Sequence, residues 1–209
     1  MTRAIVFDID GVLVEGMNHI ANKSRRWDRD LQADMGVDPK RFTDEFIFDI
    51  FVTKVSTGKM SVIEALDKRL PSLGYKGSTM KFLDYWLKKD SVLNQPLIDT
   101  IRAFRAKNDN PFYIATNQEH IRAVWLWSNT GLCDLFDDMF HSARAGVRKP
   151  EKAYFEFISS KIGPQSEPPI FFDDTPKIVE GARKAGWEAM IYDRLESFTT
   201  HPWIAERLP

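Results

Sequence analysis

Four polar clusters carry the chemistry available to this sequence. Asp8-Ile9-Asp10-Gly11-Val12 follows an apolar run from Ala4 to Phe7, and Thr116-Asn117 follows one from Phe112 to Ala115. Arg148-Lys149-Pro150 lies in the loop after Met139 to His141, and Asp173-Asp174-Thr175 follows Ile170 to Phe172. Brought together, these carboxylates repel one another unless a cation sits among them. Oxygen donors without His or Cys favour Mg²⁺. Because Mg²⁺ takes one or two carboxylates together with substrate phosphate, such a site suits a phosphoryl group. A carboxylate beside the metal can attack phosphorus and form an aspartyl-phosphate. A second acid two residues on can protonate the leaving oxygen and then deprotonate the attacking water. A threonine hydroxyl, a backbone N–H and a lysine ammonium can hold the phosphoryl oxygens.

The elements that must position these groups are short. The four runs above and a fifth, Ala189 to Tyr192, are unbroken stretches rich in β-branched and aromatic residues, as expected of strands buried on both faces of a parallel sheet. The fifth ends in Asp193-Arg194, read as surface. Helical patterns separate the later runs: Leu97, Ile98, Ile101 and Phe104 in one, Pro150 through Tyr154, Phe155 and Ile158 to Gly163 in another, and Ile178, Val179, Ala182 and Ala185 after Thr175-Pro176 in a third. Alternating strands and helices predict an α/β fold with a Rossmann-like parallel sheet in three layers. Ligands of such sheets bind outside the carboxyl ends of the strands, where the clusters fall.

From about Glu15 to Asp90 only helical patterns occur. Phe46, Ile47, Ile50 and Phe51 form one apolar stripe, and Val62, Ile63, Leu66 and Leu70 a second. Phe82, Leu83, Trp86 and Leu87 form a third, behind Ser78 as N-cap. This is more chain than one crossover helix needs, so the economical division is a core of 1–15 plus 90–209 with an all-helical cap inserted at 16–89.

At the four clusters the sequence resembles the haloacid dehalogenase (HAD) superfamily. Phe7-Asp8-Ile9-Asp10-Gly11-Val12 is similar to its first motif, Ile114-Ala115-Thr116-Asn117 to its second, Lys149-Pro150 to its third and Phe171-Phe172-Asp173-Asp174 to its acidic fourth. The resemblance spans nearly the whole chain, and the insertion matches a cap placed after the first motif. It implies that Asp8 is the nucleophile and a Mg²⁺ ligand. Asp10 would be the general acid/base, with its backbone carbonyl on the metal. Thr116 and the Asn117 backbone would bind the phosphoryl group, and Lys149 would steady both Asp8 and the phosphate. The fourth motif has the adjacent-pair form, since Ile178 stands where another form carries an acid. Asp174 aligns with the main metal-binding acid, leaving Asp173 as an outer ligand or a partner behind it. In the family, an acid at the place of Asp10 marks phosphate-ester chemistry, because an alkoxide leaving group needs a proton and a halide does not. The resemblance thus implies a Mg²⁺-dependent phosphatase acting on a small phosphate monoester. Its alternatives are a phosphomutase resembling β-phosphoglucomutase, a 2-haloacid dehalogenase, and a catalytically idle binding protein.

The composition agrees. The chain has 209 residues, 43% hydrophobic and 28% charged, with 29 Lys and Arg against 30 Asp and Glu. This balance gives no electrostatic reason to expect nucleic acid or an anionic membrane. A single cysteine makes no internal disulfide, no zinc-ligand spacing occurs, and no apolar stretch suits a signal peptide or a membrane span. The expectation is a cytoplasmic protein.

Other features have bland readings. Cys133 reads as packing in an apolar helix, Asn22-Lys23-Ser24 as a chance sequon, and Lys23-Ser24-Arg25-Arg26 as a solvated helix face. Trp125 reads as core, Asn18 and His19 as polar residues that could face the site from the cap, and Thr116-Asn117 as a second candidate helix cap.

Overall fold

A computed structural model describes residues 2–16 and 25–208. The readings of Asn18, His19, Asn22, Lys23 and Ser24 lie outside the described residues. Five strands, β1 (Ile5–Phe7), β2 (Phe112–Thr116), β3 (Asp138–His141), β4 (Ile170–Asp173) and β5 (Glu188–Ile191), form one parallel sheet in the order β3-β2-β1-β4-β5. Each predicted run is a strand to within a residue at either end. The helices are α1 (Leu31–Met35), α2 (Pro39–Phe42), a π-helix (Thr43–Val55), α3 (Val62–Arg69), α4 (Thr79–Lys89), α5 (Gln95–Arg105), α6 (His120–Asn129), α7 (Ser142–Ala145), α8 (Lys152–Ile162), α9 (Pro176–Lys184), α10 (Glu196–Thr199) and α11 (Pro202–Ala205). Among the described residues no helix is long and apolar enough to cross a membrane.

Strand alternation divides the core into two layers of packing. Ile5, Phe7, Ile170 and Phe172 face a cluster completed by Leu97, Ile101 and Phe104 of α5 and Leu126 of α6. Ala4, Val6 and Phe171 face Tyr154, Phe155 and Ile158 of α8 and Val179 and Ala182 of α9. Both faces are covered, which is why the strands read as continuous apolar runs.

The helices α1 to α4 and the π-helix lie between β1 and α5 and pack on one another through Leu31, Phe42, Phe46, Leu66, Phe82 and Trp86. The chain leaves and re-enters the sheet side by side: the Glu15 N–H donates to the Val92 carbonyl (2.8 Å) and the Asn94 N–H to the Leu13 carbonyl (2.9 Å). Ser78 is the N-cap of α4, its hydroxyl accepting the Lys81 N–H at 3.2 Å. Trp125, half-buried, packs against both this helical cluster and the core cluster of α5.

Two local readings are corrected. The stripe at Phe46, Ile47, Ile50 and Phe51 lies on a π-helix of 13 residues. Its two buried residues, Phe46 and Val55, are nine apart, which is two turns of the wider helix but about two and a half turns at 3.6 residues per turn. Cys133 sits in a single 3₁₀ turn, Leu132–Asp134, and is exposed rather than packed.

His141, at the end of β3, lies 3.1 Å from His120, at the start of α6. Burial, then the charges of His120 and Arg144, pull the His141 imidazole down to about 4. The unfolded chain therefore binds the extra proton first, and this site contributes stability above the ordinary histidine range that is lost as pH falls toward 4. Going from about pH 7 to about pH 5, wild type should lose ~1–2 kcal/mol more stability than His141→Gln. Urea unfolding of both proteins at both pH values checks this; parallel losses would remove His141 as the cause.

Candidate active site

The register of the sheet builds the centre of the site. Phe7 pairs with Phe172 on one side and Ile114 on the other, so the residues that follow, Asp8, Asp173 and Ala115, lie abreast where the strand order reverses. The Asp8 N–H still donates to the Phe172 carbonyl (2.9 Å), and the chain turns at Gly11 with φ +80°. Carboxylate oxygens of Asp8, Asp173 and Asp174 lie within 4.8 Å of one another, all three residues buried.

Lys149 comes to them from the loop after α7. Its Nζ, 1% exposed with the rest of its side chain, lies 2.7 Å from Asp8 Oδ1 and 2.7 Å from Asp173 Oδ2, and donates to the Ala115 carbonyl at 2.8 Å. Asn117 fixes the backbone beneath it, accepting the Lys149 N–H at Oδ1 (2.9 Å) and donating from Nδ2 to the Lys149 carbonyl (3.1 Å). Gly181 explains a glycine inside α9: a Cβ there would lie 2.7 Å from the Pro150 carbonyl oxygen, so only glycine lets the helix close on this loop.

Around this lysine the carboxylates differ in what they already bind. Asp173 is fully buried and uses both oxygens, Oδ2 for Lys149 and Oδ1 for the Thr175 N–H (2.9 Å). Asp174 lines the open cleft above the sheet and accepts from the Thr175 hydroxyl at 3.1 Å. The Thr116 hydroxyl, 1% exposed, has no hydrogen-bond partner among the described residues and also lines the cleft. Burial pushes the Asp8 carboxyl well above the ordinary carboxylate range; Lys149 opposes this, while Asp173 and Asp174 add to it. Burial also works against the Lys149 ammonium, but the attraction of Asp173 and Asp8 outweighs it and holds the group above the ordinary lysine range. Two of the three clustered carboxylates share the one ammonium, and the donor set, all hard oxygen, fits a divalent cation such as Mg²⁺.

Asp10 stands apart from that trio, in a second cluster absent from the sequence reading. Arg122 of α6 clasps its carboxylate through Nη1 (3.0 Å) and Nη2 (2.7 Å), and Gln118 donates to it as well. Arg122 also holds the chain where the helical insertion returns, with Nη2 2.8 Å from the Asp90 carbonyl and 3.2 Å from its carboxylate. Burial pushes Asp90 up to about 6, against the pull of Arg122, and the same two acids keep the buried guanidinium above its ordinary range. The N-cap of α6 is Glu119, whose carboxylate accepts the N–H groups of Ile121 (2.7 Å) and Arg122, so Thr116 and Asn117 are not the helix cap. An arginine inside an apolar helical stretch, four residues after Gln118, was the only signal for this cluster in the sequence.

The structure therefore brings Asp8, Thr116, Asn117, Lys149, Asp173 and Asp174 to one sheet edge, and sets Asp10 beside them on Arg122. The family model of haloacid dehalogenase-like hydrolases matches residues 2–186. The chain is 33% identical over 81 residues to phosphatase MT3486 of Mycobacterium tuberculosis, a match covering 39% of this chain and 37% of that protein. To fructose-1-phosphate phosphatase YqaB of Escherichia coli it is 27% identical over 101 residues, 48% of this chain and 53% of that one. The chain thus spans about half or less of the curated relatives it matches. A HAD family enzyme of Bacteroides thetaiotaomicron, solved with magnesium and inorganic phosphate, superposes with a TM-score of 0.71 at 16% identity, over 91% of this chain and 94% of that one. With its motifs in order along the matched segment and gathered at one sheet edge, the chain belongs to the haloacid dehalogenase-like hydrolases.

Proposed function

We propose that this protein is a Mg²⁺-dependent phosphatase that hydrolyses a small phosphate monoester through an aspartyl-phosphate on Asp8. The observation that carries the reading is the buried Lys149 ammonium held between Asp8 and Asp173, with Asp174 alongside and the unpartnered Thr116 hydroxyl facing the same cleft. Asp8, Asp174 and the Asp10 carbonyl would hold the metal, with Asp173 behind them on Lys149. Both oxygens of Asp173 are already bonded, and Asp174 rather than Asp173 lines the cleft, which supports that order. Bound there, Mg²⁺ would neutralise carboxylate charge and polarise the phosphoryl oxygens. The structural likeness of the magnesium- and phosphate-bound Bacteroides enzyme and the names of the two phosphatase relatives point the same way.

An Asp8 carboxylate oxygen attacks phosphorus, the P–O bond to the alcohol breaks, and the leaving oxygen takes its proton from the Asp10 carboxyl. Asp10 then removes a proton from water, the water oxygen attacks phosphorus, and the bond to Asp8 breaks to release inorganic phosphate. Thr116, the Asn117 backbone and Lys149 hold the phosphoryl oxygens throughout. Arg122 and Gln118 position Asp10, which must exchange one of their hydrogen bonds for the leaving oxygen. The core of 1–15 plus 90–209 carries these groups. The helices of 16–89 act as a cap, closing over the cleft about the paired crossings at Leu13 to Glu15 and Val92 to Asn94. The single cysteine and even charge fit a cytoplasmic enzyme of soluble esters, without a nucleic-acid or membrane partner.

Phosphate release from a panel of esters, with Mg²⁺ and with EDTA, tests the reading. Release should require the metal and be absent in Asp8→Asn; release by that variant at the wild-type rate would remove Asp8 as nucleophile. Asp174→Ala should raise the Mg²⁺ concentration needed for half-maximal rate more than Asp173→Ala does, and the reverse order would exchange their roles. Arg122→Met leaves Asp90 and Asp10 without their cation and should lower stability by ~3 kcal/mol in urea unfolding, with Asp90→Asn in the same background recovering part of it. An unchanged midpoint would show that the clasp does not hold the two segments together.

A further inference from the structure

The cleft above the motif residues has a volume of about 1010 Å³, at the upper end for a small-molecule site. A phosphoryl group on Asp8, Thr116 and Lys149 occupies only its floor, so most of the space faces the alcohol part of the ester. One wall is the π-helix, which lines the cleft with Thr43 and Asp44 in its first turn and, beyond them, with the apolar set Ile47, Phe48, Phe51 and Val52. Phe48 is 59% exposed and is the one exposed phenylalanine among the fifteen of the chain. Long π-helical segments are rare and concentrate at functional sites, and this one lines the cleft from Thr43 to Val52. The wall is tied to the catalytic loop, because Arg148 Nη1 donates to the Val52 carbonyl at 2.9 Å, one residue before Lys149. Several charged side chains that line the cleft are engaged elsewhere: Lys40 pairs with Asp44, Arg26 with Asp28 at 2.9 Å, Arg122 with Asp10 and Asp90, and Arg25 donates to the Lys89 carbonyl at 2.6 Å.

A polyol laid against Ile47, Phe48, Phe51 and Val52 gives up hydrogen bonds to water and finds no directional partners there, whereas a hydrocarbon body gains contact. Building on the phosphatase reading, we propose that the substrate is a phosphate monoester of an alcohol with a hydrocarbon body, an aromatic ring or a bulky alkyl group, seated on the Phe48 face of the π-helix. Polyol and sugar phosphates are the poor substrates of this site.

Phenylpropyl phosphate should be hydrolysed with kcat/KM ~tenfold or more above glycerol phosphate and fructose-1-phosphate, mainly through KM. All three esters release alcohols, and the oxygen-rich polyols are the better leaving groups, so a preference for the phenylpropyl ester cannot come from leaving-group acidity. Phe48→Ser should collapse this preference and Phe48→Leu should keep most of it. Calorimetry with non-hydrolysable phosphonates in Mg²⁺ gives the same comparison without turnover: phenylpropyl phosphonate should bind ~tenfold tighter than methyl phosphonate, with the gap closing in Phe48→Ser. Preference for the polyol esters, equal binding of the two phosphonates, or a gap that survives Phe48→Ser would overturn the proposal. If no ester is hydrolysed, the phosphatase reading fails, and the phosphonate gap alone decides whether the wall selects hydrocarbon.

Discussion

The ammonium of Lys149, buried and shared by two carboxylates at 2.7 Å each, is the interaction on which the rest of the site depends. A lysine so deep in the molecule is tolerable only where its charge is matched and its hydrogen bonds are made. The sheet order meets that requirement by making β1 and β4 neighbours, so that Asp8 and Asp173 leave the sheet in register. The loop meets it through Asn117, which holds both backbone groups of Lys149, and through Gly181, whose missing side chain leaves room for Pro150. A larger residue at Gly181 would meet the Pro150 carbonyl and displace the loop that carries the lysine before it touched any ligand.

A second charged centre joins two segments that are distant in the sequence. Arg122 lies between Asp10, just past the first strand, and Asp90, where the helical insertion rejoins the sheet. The side chain proposed to move the proton is thus tied through one guanidinium to the segment proposed as a hinge. Any motion of the insertion about that segment would reach Asp10 through hydrogen bonds of 2.7 to 3.2 Å, with no need for a longer relay.

The sheet and the four clusters were legible because their signals are local and redundant. Runs such as Ile170-Phe171-Phe172 are apolar on both faces, and each ends in the polar residues that the sheet edge presents. The Ser78 cap was legible for the same reason, since the capping side chain and the N–H it accepts are three residues apart. Arg122 was not, because its partners lie 112 and 32 residues away and its place in an apolar helical stretch, the one local hint, does not say what it binds. The π-helix escaped because apolar spacing of three to five residues satisfies both helical periods over two turns. Only the burial of Val55 with Phe46 separates them, and burial is a tertiary property. Exposed Phe48 belongs to the same class: the sequence shows a phenylalanine, but not that it faces a cleft.

The commitments of each carboxylate's oxygens explain how four acids in one place can do different work. Asp173 has spent both, on Lys149 and on the Thr175 N–H, and so is suited to hold rather than to react. Asp8 gives Oδ1 to Lys149, a contact that fixes the carboxylate plane without engaging Oδ2 in the same bond. Asp10 is gripped by a guanidinium and an amide through side-chain hydrogen bonds, one of which would have to give way to the leaving oxygen. Asp174 opens onto the cleft, where a cation and a phosphoryl group would meet. The proposed roles of anchor, nucleophile, proton carrier and metal ligand follow from these prior bonds, since the residue type is the same in all four.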